Sequence, residues 1–407
     1  MGVRDAWDGL AGCRMRVGSH CRVMTPTELP EEERALVTRA HPDVDVGALL
    51  LPTRSGAMSP KVVCKATARA VSLLQEPRSY AELNGSLTAG PGVDELVGLV
   101  LDGIVEIEVG RSFISGAAAY REISNRESTA GTPVDTDPLS RHALQSAAGL
   151  GLTDPEGLAI RLYLSNSVPL TPGWLGRFPD PAATERHLGL HRSGRTRRQL
   201  ERRWRHVDAS PMSDTWSLWG PADDDHGEDT GDEETESGPR YKLYVSPRPD
   251  ATSRCFAAVV TALLDSGTRA WLKVARTPRG LLRPDKMVLY VASAGELHRL
   301  AAVLAGRLDR LPGQGVPFAA RFDAERVLLS WGMDPPDGRS DSSLPRHSWR
   351  SWLTGRIAAA LALAQYLGVG ADAWRFALMR VRCDGVDPAT WRPASDFWGP
   401  VPPGNHR

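Results

Sequence analysis

Three of the five lysines in this chain, Lys242, Lys273 and Lys286, fall between residues 242 and 286, although Lys and Arg together number 49. The richness in Arg, Ala, Gly and Pro fits a GC-rich bacterial genome, in which a surface cation defaults to arginine. A lysine kept against that bias suits a task arginine cannot do, such as losing a proton near neutral pH. Lys273 lies inside the apolar run Trp271–Ala275, where desolvation would lower its pKa toward that of a general base. Lys242 and Tyr244 stand two apart in an alternating run, so both side chains leave one face of a strand. Tyr290 stands in a third apolar run. Arg276, Arg279 and Arg283 follow Lys273, with Asp285 near, and Arg350 and Arg356 come later. Guanidinium groups hold a phosphate dianion by paired hydrogen bonds. The chain shows no His/Cys/Asp cluster at metal-ligand spacing, no Gly-rich phosphate loop and no kinase catalytic-loop pattern. A neutral lysine that removes a proton alpha to a carbonyl, beside arginines that hold phosphate, suits β-elimination of phosphate.

Each residue also has a plainer reading. Lys242 could guard an edge strand against aggregation, and Lys273 could snorkel to the surface. Tyr290 could be core, Arg276 and Arg279 loop charges, and Arg350 and Arg356 solvated helix residues. The two last arginines are six apart and so do not share a helical stripe.

The elements that must position these groups are clearest after residue 239. Strands are predicted over Tyr241–Ser246, Ala270–Ala275, Met287–Ala292 and Arg326–Trp331, and helices over Ser253–Leu264, Gly295–Leu308 and Trp349–Tyr366. The layout is α+β with short connections, giving a C-terminal mixed or antiparallel sheet with packed helices. Before it, helices over 62–75, 80–87 and 93–101 precede a hairpin, Ile104–Val109 and Ser112–Ser115, turning at Gly110-Arg111. That order is the order of a winged helix. Residues 138–220 read as irregular helix: one opens at Pro155, Ser167–Pro181 reads as loop, and the basic run 192–206 as helix. Residues 222–238 are acidic without an apolar anchor and read as a disordered linker. The expected division is a winged-helix-like region at 1–125, a helical connection at 126–221, the acidic linker at 222–238 and a catalytic domain at 239–407.

With 41% hydrophobic residues the chain can build real cores. Its zero formal net charge gives no global pull toward nucleic acid or anionic membrane. The third predicted helix carries Asp94 and Glu95 and no cation, which argues against a phosphate-backbone partner. A hairpin edge is instead a site for strand addition by an extended peptide, so a leader-peptide or kinase docking role is expected there, against the alternative of a buttress. The basic run could likewise contact an acidic leader, or be a solvated face. Five scattered cysteines without a CxxC pair fit free thiols in a reducing cytoplasm. No apolar run reaches membrane-spanning length and the charged first residues do not read as a signal peptide.

The motifs YKLYVSPRPD at 241–250, WLKVA at 271–275, RPDKMVLYV at 283–291 and SWRSWLTGR at 348–356 resemble the phosphothreonine lyases of bacterial type III effectors and the lyase domains of lanthipeptide synthetases. They are closest to the HopA-like branch, the stand-alone lyases of class V lanthipeptide and thioamitide pathways. That resemblance implies a phosphothreonine-lyase-like fold and a metal-free, cofactor-free lyase that turns phosphoserine or phosphothreonine into dehydroalanine or dehydrobutyrine. The partners it implies are a phosphorylated precursor peptide with a leader and the Ser/Thr kinase of the same pathway. It implies that Lys273 abstracts the Cα proton and that Lys242 stabilises enolate charge at the carbonyl. Tyr290 would stand on the following strand. Arg283, with Arg356 or Arg350, and Arg279 near it, would bind phosphate. The effectors carry a histidine, their proposed general acid, where this chain has Tyr244. A non-catalytic adaptor that binds phosphopeptide or kinase through the same arginines is the alternative.

Overall fold

A computed structural model of the chain describes residues 12–19, 21–40, 46–52, 61–87, 92–129, 135–207, 215–222, 241–323, 325–335 and 348–394. Apart from Ala222, the expected linker 222–238 lies outside the described residues. The fold is α+β with antiparallel sheets, and the chain divides into two compact units. The first takes the chain up to Leu162 together with Ser351–Ala389; the second takes Tyr163–Pro335, Ser348–Arg350 and the residues from Thr390. The units therefore depart from the expected division. The change falls inside 126–221, and most of the helix that begins at Trp349 belongs with the N-terminal part. Among the described residues no helix is long and apolar enough to cross a membrane.

In the first unit, β1 (Arg14–Val17), β5 (Arg78–Ser79), β6 (Val105–Val109) and β7 (Ser112–Ile114) form a sheet in the order β5-β1-β6-β7. The strands β2 (Cys21–Met24), β3 (Val46–Pro52) and β4 (Lys61–Cys64) form a second sheet. The hairpin turns where expected: Val109 pairs with Ser112 around Gly110, whose φ is +64°. The helix expected over 62–75 begins only at Lys65 and ends at Leu73. Residues 61–64 instead pair with β3, a partner not recognised in the sequence. A short apolar run can serve either element, and the available ladder decided it. Helices Lys65–Leu73, Tyr80–Gly85 and Val93–Leu101 precede the hairpin in the expected order. The third buries every residue from Leu96 to Leu101, so it offers no exposed face to a groove in nucleic acid. It lies against helix Ala373–Cys383. A Cβ at Gly98 would stand 2.9 Å from the Arg380 guanidinium, and Arg380 pairs with Asp102, as does Lys61.

The second unit is built on a seven-stranded, wholly antiparallel sheet. Its strands are β8 (Trp204–Val207), β9 (Trp216–Pro221), β10 (Tyr241–Val245), β11 (Trp271–Ala275), β12 (Met287–Val291), β13 (Ala320–Arg321) and β14 (Leu329–Met333), in the order β13-β14-β10-β12-β11-β9-β8. The predicted strand at Arg326–Trp331 is displaced to Leu329–Met333 because Arg326 is exposed and paired with Asp309 and Asp323. Two strands, β8 and β9, occupy ground read as helix. The basic run is helical only over Arg195–Leu200. Beyond it Trp204 is buried and donates from its indole to the Ala270 carbonyl at 2.7 Å, drawing the chain into the sheet edge. Within the expected loop 167–181 a short helix, Pro172–Arg177, opens on its proline.

One face of this sheet is apolar from β13 across to β9. Trp219, Leu272, Leu289, Leu243, Trp331 and Ala320 pair in one row, and all are buried. Helix Ala294–Arg307 packs on β10 and β12 and against helix Thr252–Ser266. The latter buries Cys255, Phe256, Val259, Val260 and Leu263 at helical spacing and stops at Gly267, φ +64°. On the opposite face Gly332 seats Trp349. A Cβ at Gly332 would overlap the indole, whose Nε1 donates to the Phe318 carbonyl at 3.0 Å. This seat fixes the first helical turn and with it Arg350. Replacing Gly332 with alanine is expected to destabilise the protein by about 1–3 kcal/mol, read as a lower denaturant midpoint at unchanged slope.

Candidate functional site

Residues paired directly across an antiparallel ladder project from the same face. Lys273 pairs with Val288, Val288 with Tyr244 and Tyr244 with Ser330. In the next row Trp271 pairs with Tyr290, Tyr290 with Lys242 and Lys242 with Gly332. Lys242, Tyr244, Lys273 and Tyr290 therefore share the face opposite the apolar row. β9 brings Leu218 opposite Lys273 and Trp216 opposite Ala275, so Trp216 joins them. Gly220 leaves room for Trp271, whose ring a Cβ there would meet at 2.8 Å.

Two further elements complete the cluster. After β11 the chain makes a short helix, Pro278–Leu281, capped by the Thr277 hydroxyl, which accepts from the Gly280 amide at 3.1 Å. It then returns to β12 through Arg283, Asp285 and Lys286. Asp285 is buried and accepts a bidentate pair from Arg283, Nε to Oδ1 and Nη2 to Oδ2, both at 2.8 Å. Arg350, itself buried, brings Nη1 to 2.9 Å from Oδ2 of the same carboxylate. Its Nη2 donates to the Tyr163 carbonyl at 2.6 Å. The Tyr163 side chain hydrogen-bonds both Asp285 and Arg283.

Aromatic rings interleave these cations. The Arg350 guanidinium lies 4.7 Å from the Tyr163 centroid and Arg283 5.1 Å from it. Arg283 is also 5.2 Å from the Trp216 centroid, and the Lys273 ammonium is 4.5 Å from that same ring. Arg350, Tyr163, Arg283, Trp216 and Lys273 thus form an alternating series of cations and rings. Lys242, nearly buried, pairs with Asp334 and sits 5.4 Å from the Tyr290 centroid. Four cations face two carboxylates, which leaves an excess of positive charge on this face.

The ionisation states follow from burial and neighbours. Lys273 is pushed down to about 8, first by desolvation and then by Arg283 and Lys242, with Asp285 opposing. Burial would raise Asp285, but the Arg350 and Arg283 charges and the hydrogen bonds from Arg283 and Tyr163 hold it at about 2. Burial lifts the Tyr244 hydroxyl well above its ordinary value, with Asp334 and the neighbouring tyrosines adding to the rise against Arg350. Tyr244 packs with Val288, Val316, Ala319 and Tyr290. It keeps its proton and can donate a hydrogen bond, but it is a poor acid.

The remaining candidates lie elsewhere. Arg279 is exposed on the short helix, and Arg276 pairs with Glu185 at 2.9 Å. Arg356 belongs to the first unit, where its guanidinium lies 5.6 Å from the Trp352 centroid and within the field of Asp102. Lys286 is fully buried and donates to the Pro247 carbonyl at 2.7 Å and to the Gln314 side chain. Trp216, Tyr163 and Asp334 escaped the sequence reading. Asp285, inside the motif Arg-Pro-Asp-Lys, carried the only visible signal.

No protein-family model matches the chain, and no curated protein matches it. Among solved structures it is similar to an effector protein from Pseudomonas syringae pv. syringae strain 61, with a TM-score of 0.33 and 12% identity over 63% of this chain and 97% of that one. It is also similar to an effector protein from Pseudomonas syringae pv. tomato strain DC3000, with a TM-score of 0.30 and 12% identity over 62% and 96%. Superpositions at these scores do not establish a shared fold.

Because the Trp216 ring covers Lys273, the lysine ammonium is expected to titrate with a midpoint near 8 in a carbon-13 NMR titration, assigned with Lys273→Arg. Trp216→Ala readmits water and moves that midpoint up toward the ordinary lysine value.

Proposed function

We propose that this chain is a phosphoserine/phosphothreonine lyase that eliminates phosphate from a phosphorylated precursor peptide, leaving dehydroalanine or dehydrobutyrine. The observation that carries the reading is Lys273: a lysine able to lose its proton near neutral pH, one indole away from a pair of arginines locked together by Asp285. An anion-binding module gains nothing from a cation that is easily neutralised, whereas a base requires one.

In the step proposed, neutral Lys273 takes the Cα proton of the phosphorylated residue. The C–H electrons form the Cα=Cβ bond, the Cβ–O bond breaks, and its electrons leave on the bridging oxygen with the phosphate. Lys273 ends as an ammonium and phosphate departs as hydrogen phosphate, having taken up one proton from solvent. Lys242, its charge balanced by Asp334, stands one row from Lys273 and meets the negative charge that develops on the substrate carbonyl. Arg283 holds the phosphoryl oxygens, fixed through Asp285 by the buried Arg350. Tyr244 donates a hydrogen bond to the leaving oxygen rather than a proton. These groups need no metal or organic cofactor for the step. The phosphate would be installed beforehand by a separate Ser/Thr kinase, and the hairpin edge of the first unit is the place proposed for the peptide's leader or for that kinase.

A phosphothreonine peptide incubated with the protein in EDTA is expected to lose about 98 Da, the mass of phosphoric acid, in mass spectrometry. Lys273→Ala and Lys273→Arg are expected to abolish the loss while still binding the peptide. An active Lys273→Arg protein would refute the base and favour a non-catalytic adaptor. The rate should rise with pH until Lys273 is neutral, levelling above about 8.

Exchanging Arg283 for lysine keeps the charge but removes the planar fork. It is expected to raise KM by roughly ten- to a hundredfold with a smaller change in kcat, as lost charge-assisted hydrogen bonds would.

A further inference from the structure

A carboxylate is an unexpected occupant of an anion receptor, since its charge repels the ligand. Asp285 nevertheless sits at the centre of this one, buried, with both oxygens engaged by guanidinium groups from two separate segments of the chain. Arg283 belongs to the connection after β11 and Arg350 to the first turn of helix Trp349–Tyr366. Two guanidinium groups brought together in a poorly solvated site repel each other, and long arginine side chains lose several rotatable bonds of freedom when fixed. A shared carboxylate removes the repulsion and sets both planes at once. Tyr163 finishes the frame, its hydroxyl bonded to Asp285 and Arg283 and its ring within cation–π distance of both guanidinium groups.

We propose that Asp285 is the positioning residue of this site, fixing the Arg283 guanidinium against the buried Arg350 so that it grips phosphoryl oxygens, and that the carboxylate thereby strengthens anion binding despite its negative charge. The proposal rests on the reading of the face as a phosphate site. It gives a test whose sign separates geometry from charge. If Asp285 were only a counter-charge, the neutral isostere Asp285→Asn would bind phosphate more tightly. If it positions the arginines, the same variant binds more weakly.

The measurement is inorganic phosphate titrated into the full chain by calorimetry, with thermal melts to confirm that each variant is folded, followed by the mass-loss assay on a phosphothreonine peptide. Asp285→Asn is expected to weaken phosphate about tenfold or more, the effect of a lost charge-assisted hydrogen bond, and to lower kcat/KM chiefly through KM. Tyr163→Phe leaves every charge in place and should weaken phosphate in the same direction by about two- to fivefold. That variant carries the test if Asp285→Asn does not fold. Unchanged or tighter phosphate binding in either folded variant overturns the proposal, as does a wild-type protein that does not bind phosphate. Binding that weakens as expected, in a protein that never eliminates phosphate, upholds Asp285 as the positioning residue and refutes the lyase reading alone.

Discussion

The salt bridge from Asp285 to Arg283 and Arg350 is the constraint on which the rest of the site depends. A buried carboxylate between two buried or half-buried guanidinium groups cannot be relaxed piecemeal. Removing one partner of such a network leaves an uncompensated charge and costs about 3–5 kcal/mol. The network therefore fixes three parts of the second unit against one another: the connection between β11 and β12, the first turn of the helix at Trp349, and Tyr163. The interleaved rings of Tyr163 and Trp216 follow from this arrangement. They let cations approach closely in a site with little water to screen them.

Within this frame three lysines of one short stretch meet three different fates. Lys242 faces Asp334 and is balanced by it. Lys273 is covered by an indole, and the carboxylate that supports its charge, Asp285, is held by two arginines, so that support is weak. Lys286 is buried completely, and burial pushes it down to about 7 with Asp285 and Cys255 opposing. It is bonded to a carbonyl and to Gln314, which in turn donates to the carbonyls of Asn166 and Leu282. That arrangement clips loops to the sheet and leaves no room for a substrate. Of Lys273 and Lys286, both with lowered pKa, only Lys273 has access from one face of the sheet.

Tyr244 illustrates the same dependence on surroundings. A tyrosine is already a weak acid by its ordinary pKa, and packing against Val288, Val316 and Ala319 weakens it further. Charge on a departing group would then be met by cations held in place beforehand. The connections that carry Arg283 and Arg350 matter more to the chemistry proposed than the identity of the residue at 244.

The sequence by itself determined the α+β character, the alternating run that became β10, the place of Lys273 within the apolar strand β11 and the bounds of the helix Trp349–Tyr366. These are local properties, set by hydrophobic period and by residue type within a few positions. It also placed Lys242 and Tyr244 on one face, because strand geometry alone requires that. The tertiary structure decided everything that depends on partners distant in the chain. It turned 204–207 and 216–221 into strands, because a buried tryptophan and an available sheet edge outweighed a basic, helix-like run. It set Asp334 beside Lys242, Trp216 over Lys273 and Tyr163 between two arginines. It kept Arg350 in the cluster and placed Arg356 in the first unit, since six residues along a helix point in different directions. No short-range pattern carries such pairings, because their stability comes from burial, and what is buried against what is fixed only when the sheet order is complete.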